Sequence, residues 1–387
     1  MSAPLLGAGK PSGALQLSRA AVIATAAVFG LTYSLTAPLI ALDLAERGLG
    51  ETLIGANAAM HAVGVLVTAP LLPRLVARFG AREMVLGALL LAAAVIALFP
   101  AMPSVWLWFP LRLALGCASE VLFVLSETWT NQLSEERSRA RAMAVYTAAL
   151  SLGFAAGPLI LSVTGTAGSL PYLVGAALAL GAMALTASPR IIAPHFEEPQ
   201  AGSLGRVLRL APVAIATTVL NAAVETAGLS FLALYAMGAG WEEAEATRLI
   251  SALMFGAILL QLPIGWLGDR MDRRRLTLAL GVMAAAGALL WPLVLHQPWL
   301  AYAVVFTWGG VFVGIYTMML AVVGSRFQGT ELVAIYAVMG LTWGAGALLG
   351  PALAGVAMDL LPHGLPIFAA LACAAFVAFA LRSRGEA

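Results

Sequence analysis

The sequence predicts an all-α integral membrane protein, with twelve transmembrane helices in two six-helix pseudo-repeats. Three observations carry that expectation. Of 387 residues, 61% are apolar and only 10% are charged, where a soluble domain carries about 25% charged residues. The apolar residues gather in runs, each near the roughly 20 residues a helix needs to cross hydrocarbon. Landmarks of the first half recur about half a chain length later.

In chain order the runs fall at 20–42, 52–73, 83–100, 105–130, 142–163, 170–188, 210–238, 247–267, 276–295, 299–322, 332–357 and 364–381. Orientation follows from arginine, which is retained on the cytoplasmic side. Arg74, Arg78, Arg82, Arg137, Arg139, Arg141, Arg190, Arg206, Arg209, Arg270, Arg273, Arg274, Arg275, Arg326, Arg382 and Arg384 share one side, opposite Arg47 and Arg248. Asp43, Glu46, Glu51, Glu242, Glu243, Glu245 and Asp359 fall with the latter pair. Both termini are therefore expected in the cytoplasm of a bacterial cell, with the chain in the inner membrane. The long polar break divides it into a half at 1–188, a cytoplasmic linker at 189–209 and a second half at 210–387.

The first residues, rich in Gly, Pro and Ser, lack the charged start and cleavage site of a signal peptide, and read as a cytoplasmic tail. Glycine, at 39 residues, suits closely packed membrane helices. Cys117 and Cys373 lie in separate apolar runs and read as free thiols. The basic residues come in short loop clusters, which excludes a nucleic-acid partner. No cofactor or metal site and no phosphate-binding loop stands out, so neither catalysis nor ATP drive is expected. Trp106, Trp108, Trp241 and Trp299 at the acidic end read as an interfacial belt.

The halves repeat each other. Residues 144–160 and 337–353 share an initial Ala-Val and Gly-x-x-x-Gly-Pro, and the Arg78 and Arg270 loops match at nearly the same offset. Intramembrane charge does not repeat: Arg112, Glu120, Glu127 and Glu225 correspond to Val305, Val313, Leu320 and Thr32. Shape is duplicated while charge is single, as expected of groups serving a solute or proton.

Arg112, Gly116, Glu120, Phe123 and Glu127 are spaced by fours and threes, which puts them on one helix face. Charges at membrane depth are costly against lipid, so that face is expected to line a cavity. A carboxyl group in a low-dielectric interior can load and release protons near neutral pH. Proton coupling is assigned to Glu127 or Glu120, with Glu225 third; Asn221 shares the Glu225 face. The alternative for Glu120 and Glu127 is an ion pair with Arg112 or a polar packing contact. Arg112 either orients the proton-binding acid or holds an anionic group of the solute. Asn57, His61 and Asn221, with the aromatic residues Tyr33, Phe123, Tyr146, Trp308, Tyr316, Tyr336 and Trp343, complete the expected solute-binding set; for each aromatic residue the alternative is packing against a neighbouring helix or lipid.

These residues resemble the major facilitator superfamily of secondary transporters. The likeness is carried by Gly265-x-x-x-Asp269-Arg270-x-x-Arg273-Arg274, by Arg112 with Gly116, and by Gly153-x-x-x-Gly157-Pro158. The first-half loop has Ala77 where the family has Asp. The resemblance implies two halves rocking about a central cavity. Asp269, with Arg270, Arg273 and Arg274, is expected to latch the cytoplasmic side against the fifth helix near Ala140, by placing an anion at a helix N-terminus; the alternative is a local salt bridge. Gly153, Gly157, Pro158, Gly346, Gly350 and Pro351 are expected as hinges or packing points. Within the family the fifth-helix pattern is associated with antiporters. The expected function is proton-coupled export of a small organic solute by a monomer, its partners being solute, protons and the bilayer. The alternatives are proton symport of an organic anion into the cell and a receptor or scaffold that moves nothing.

Overall fold

The computed structural model describes residues 12–134, 139–192, 210–327 and 329–383. Most of the expected linker, at 193–209, lies outside the described residues. A helix occupies each expected span. In the first half these are Ser12–Glu46, Glu51–Thr68 continued by Leu72–Phe79, Ala81–Leu98, Trp108–Gln132, Arg139–Thr164 and Leu170–Thr186. In the second half they are Pro212–Gly238, Glu243–Leu259 continued by Gln261–Gly268, Arg273–Ala288, Pro298–Arg326, Gly329–Leu360 and Gly364–Arg382. Among the described residues nine helices are individually long and apolar enough to cross a bilayer.

The first and eleventh helices overrun their hydrophobic stretches because hydropathy marks only the hydrocarbon-embedded part, while Ala, Leu, Gln and Arg continue a helix beyond it. The second span bends by 61° between its two helices, at Pro70, which cannot donate the backbone bond that would carry the helix on. In the ninth, Asp272 accepts from the Arg275 N–H at 2.8 Å and so satisfies a free amide of the first turn.

Each half is built on the same glycine contacts. Gly64 lies against the Leu113 carbonyl and Gly116 against that of His61, which locks spans two and four. Gly256 against Phe306 and Gly309 against Leu253 repeat the arrangement between spans eight and ten. Gly153 and Gly157 seat span five on span one at Ala27 and Ser34; Gly346 and Gly350 seat span eleven on span seven at Val219 and Ala223. The Gly-x-x-x-Gly-Pro segments are thus packing points inside each half. Pro158 and Pro351 lie inside continuous helices.

The loop arginines of the expected latch are used differently. Arg82 closes the end of span six, donating to the Ala187 and Ser188 carbonyls at 2.7 and 3.0 Å. Its repeat mate Arg274 donates to Ala380 and Ser383, the end of span twelve. Arg273 donates to the Ala321 carbonyl at 3.0 Å, and Arg270 lies 3.7 Å over the Trp266 ring. In the described state, carbonyls toward the ends of spans ten and twelve and the Trp266 face, all of their own half, hold these three guanidinium groups.

The two lobes meet mainly through spans two with eleven, five with eight, and one with seven. Among the described residues four hydrogen bonds join them, all on the acidic-end side of the middle. The Asp359 carboxylate accepts from the Glu51 and Thr52 N–H groups at 3.0 and 2.9 Å. Glu243 Oε1 accepts from the Thr166 N–H at 2.6 Å, and the Ser251 hydroxyl donates to the Ala155 carbonyl at 3.4 Å. Gly55 against the Pro351 carbonyl, and Gly355 against that of Glu51, tighten the same end. The expected aromatic belt is half correct. Trp106 and Trp299 are exposed, but Trp108 and Trp241 are buried and donate to the Met102 and Leu295 carbonyls.

Candidate functional site

Three of the unrepeated charges, Arg112, Glu127 and Glu225, are linked across the lobes through Tyr33 and Tyr316. Glu120 and Glu127 on span four and Glu225 on span seven are half-buried, neither sealed in a core nor open on the outer wall. Asn221 Nδ2 donates to Glu225 Oε2 at 3.0 Å, as their four-residue spacing on one helix face allows. Tyr316 on span ten lies within electrostatic reach of both Glu225 and Glu127. Tyr33 on span one lies within reach of both Glu225 and Arg112. By position along their spans, Glu127 lies toward the arginine-rich end and Arg112 toward the acidic end, with Tyr316, Glu225 and Tyr33 nearer the middle. Both lobes contribute to this series.

Arg112 lies at the closed end. It is 2% exposed, its Nη1 reaches the Thr36 hydroxyl at 3.4 Å, and its Nε has no partner. No ion pair among the described residues involves Arg112, Glu120, Glu127 or Glu225, so the alternative of a permanent pair between the arginine and a glutamate of its helix is not realised. His61 and Asn57 share this sealed layer. The Tyr33 and His61 rings meet edge to face at 4.8 Å, and His61 Nδ1 and both amide atoms of Asn57 are buried without partners. Arg112, Tyr33, Asn57 and His61 thus form a polar layer behind the half-exposed acids, closed over by the acidic-end contacts.

The aromatic residues divide. Phe123 is half-buried on the Glu120 and Glu127 face, 5.4 Å from Phe29. Trp343 packs against the cluster of Ala62, Ala222 and Ala347, which draws on both lobes. Tyr146 is buried, its hydroxyl 3.1 Å from that of Ser126, and it lies within reach of Glu127. Trp308 is a correction: it is 4% exposed, donates to the Ala284 carbonyl at 2.8 Å, and packs between Trp291 and Phe312. Its indole sits in the second lobe's core, held by Trp291, Phe312 and the Ala284 carbonyl of span nine.

Asp269 ends the short helix Gln261–Gly268 and is exposed. No hydrogen bond among the described residues reaches its carboxylate, and the side chains at 139–141, its expected partners, lie outside the described residues. Sequence reasoning missed Asp359 and Glu243, which bridge the lobes at the opposite end. Their signal was an acid at the last turn of one span and at the first turn of another.

No group of three metal-ligating side chains stands together among the described residues. The family model for the Major Facilitator Superfamily matches residues 22–247 and 214–386, one match on each half. The chain belongs to the major facilitator superfamily. Within that superfamily it is 28% identical over 264 residues to the uncharacterised MFS-type transporter YfkF of Bacillus subtilis, a match spanning 66% of each chain. It is 25% identical over 280 residues to the uncharacterised MFS-type transporter YcaD of Escherichia coli O7:K1, covering 71% of this chain and 72% of that one. The fold is similar to that of a mutant form of the nucleoside transporter NupG, with TM-score 0.78 and 14% identity over 94% of this chain and 99% of that one. It is also similar to a bacterial homologue of the human lysosomal transporter Spinster, in an inward-facing and unoccupied conformation, with TM-score 0.70 and 14% identity over 96% and 95% of the two chains. This superfamily member is a multi-pass membrane transporter and not an enzyme.

Proposed function

We propose that this protein couples inward proton movement to export of a small organic solute by alternating access. The observation that carries the reading is that Glu127 and Glu225, half-buried carboxyl groups from opposite lobes, both lie within electrostatic reach of Tyr316. The arginine-rich end faces the cytoplasm, and the acidic end, held by Asp359 and Glu243, is the periplasmic gate. In this orientation the described state is closed to the periplasm. The halves 1–188 and 210–387 rock against each other about the central cavity, and Asp269 engages the fifth span when the cytoplasmic side shuts. A proton entering down the membrane potential releases about 2.3 kcal/mol per 100 mV, enough to drive solute uphill if a carboxyl group loads the proton from one side and yields it to the other.

The cycle runs through this chain's own groups. In the described state Glu127 or Glu120 releases its proton toward the cytoplasm and solute enters between spans four and ten. The Asp359 and Glu243 contacts then part, and a periplasmic proton displaces the solute. A second reading, proton symport of an organic anion into the cell, is favoured by one feature: Arg112 is buried without a carboxylate partner.

Everted membrane vesicles with a respiration-driven acidic interior separate the two readings. A transported solute collapses the pH gradient under antiport, and Glu127→Gln abolishes that collapse. A solute that leaves the vesicle interior together with protons supports symport and overturns export.

A further inference from the structure

Glu225 and Asn221 place two hydrogen-bond acceptors side by side. One amide hydrogen of Asn221 is spent on Glu225 Oε2. Its Oδ1, on the same amide carbon, is buried and without a partner, in a residue only 7% exposed. A buried amide oxygen beside a carboxylate is costly unless a donor serves both. No ion pair among the described residues supplies one to Glu225, and Arg112 is turned to Thr36. The missing chemistry is an N–H donor, and charge favours a cationic one.

The surroundings define its body. Tyr33 and Tyr316 flank Glu225 within electrostatic reach. Trp343 packs against the small cluster that contains Ala222, the residue next to Asn221. Aromatic faces attract an ammonium group when water is excluded, by about 0.5 to 2 kcal/mol, and accept flat apolar surface. Glu127 lies toward the arginine-rich end and Glu120 near the middle of span four, so the approach is acidic and concentrates cations.

We infer that the solute is a protonated amine on an aromatic-sized apolar body, its ammonium held by Glu225 and the Asn221 oxygen. This rests on the reading of the lobe interface as the transport route. It also fits the exchange of solute for proton: a cation held at Glu225 and a proton loaded on Glu127 or Glu120 add positive charge to one acidic route, so each disfavours the other.

The test is thermal unfolding of the purified full chain with shape-matched probes: tryptamine, indole-3-acetamide and indole-3-acetate, and the corresponding naphthyl amine, amide and acid. The amines are expected to raise the unfolding midpoint by at least about 2 °C at saturation, with the amides and acids inactive. Glu225→Gln, which keeps an acceptor for Asn221, is expected to abolish the shift. Asn221→Ala is expected to raise the tryptamine concentration needed by about tenfold. Gly181→Ala, in span six where a Cβ meets nothing within 4 Å, should retain the shift and so controls for folding. An equal shift from the amides or acids, an amine shift surviving in Glu225→Gln, or no shift from any probe overturns the inference. Amine binding that persists while the everted-vesicle assay shows no proton exchange would sink the coupled-export reading and leave the solute class standing.

Discussion

The carboxylate of Asp359, at the last turn of span eleven, sits on the first turn of span two and accepts from the Thr52 N–H at 2.9 Å and from its neighbour Glu51 at 3.0 Å. An anion at a helix N-terminus satisfies free amides and meets the positive end of the helix dipole. Here the helix and the acid belong to different lobes, so the contact exists only while that end is shut. Asp359→Ala is expected to remove about 1 kcal/mol from the closed state, roughly a fivefold rise in the opposite, acidic-end-open population. Labelling of a cysteine placed beneath the gate reports it; unchanged labelling in Asp359→Ala with Glu243→Gln would show that the gate is held elsewhere.

The reciprocal glycines of spans two and four leave no room for a side chain. Gly116→Ala would drive a Cβ into the His61 carbonyl, so it is expected to cost about 1–3 kcal/mol through overpacking. Gly309→Ala should cost a similar amount against Leu253. Gly87 and Gly181 meet nothing within 4 Å, and Ala there is expected to be neutral or stabilising. Thermal unfolding in detergent ranks the four variants.

Trp308 and Trp343 separate packing from binding. Trp308→Ala empties a site walled by Trp291 and Phe312, at an expected cost of about 3–5 kcal/mol, with solute affinity unchanged in the protein that folds. Trp343→Ala is expected to weaken solute binding with a smaller loss of stability. Paired unfolding and binding curves decide, and a Trp308 variant that folds normally but fails to bind would contradict the core assignment.

Arg112 is a buried cation whose side-chain contact is a long one to a hydroxyl. A neutral group of similar length avoids the penalty of an uncompensated buried charge. Arg112→Gln is therefore expected to unfold at the same temperature as the native chain or higher, while transport falls. A large loss of stability would mean that the guanidinium is a structural keystone.

Fold and site were legible to different depths. Spans, repeat and small-residue contacts follow from hydropathy and spacing, which register local length and backbone approach; Gly153 and Gly346 occupy matching positions and meet matching partners. The glutamates were legible because charge at membrane depth is costly, and Asn221 with Glu225 followed from helical spacing alone. Trp308 was misread because an aromatic residue at helical spacing has the same signature whether it fills a lobe or lines a cleft. The contacts of Arg273 and Arg274 within their own half were not legible, because sequence does not show which carbonyls come near a loop arginine. Asp359 and Glu243 escaped notice because their role depends on which spans meet across the lobes.

The central claim is that carboxyl groups of span four carry the driving proton. It is tested most directly in proteoliposomes, with a solute found by the vesicle assay, by comparing gradient-driven accumulation with solute exchange at equal pH for the native chain, Glu127→Gln and Glu120→Gln. The expected result is that at least one substitution abolishes accumulation while exchange continues, because solute still binds and crosses but no proton is moved with it. Accumulation that still follows the proton gradient in the double variant Glu120→Gln, Glu127→Gln would contradict the claim.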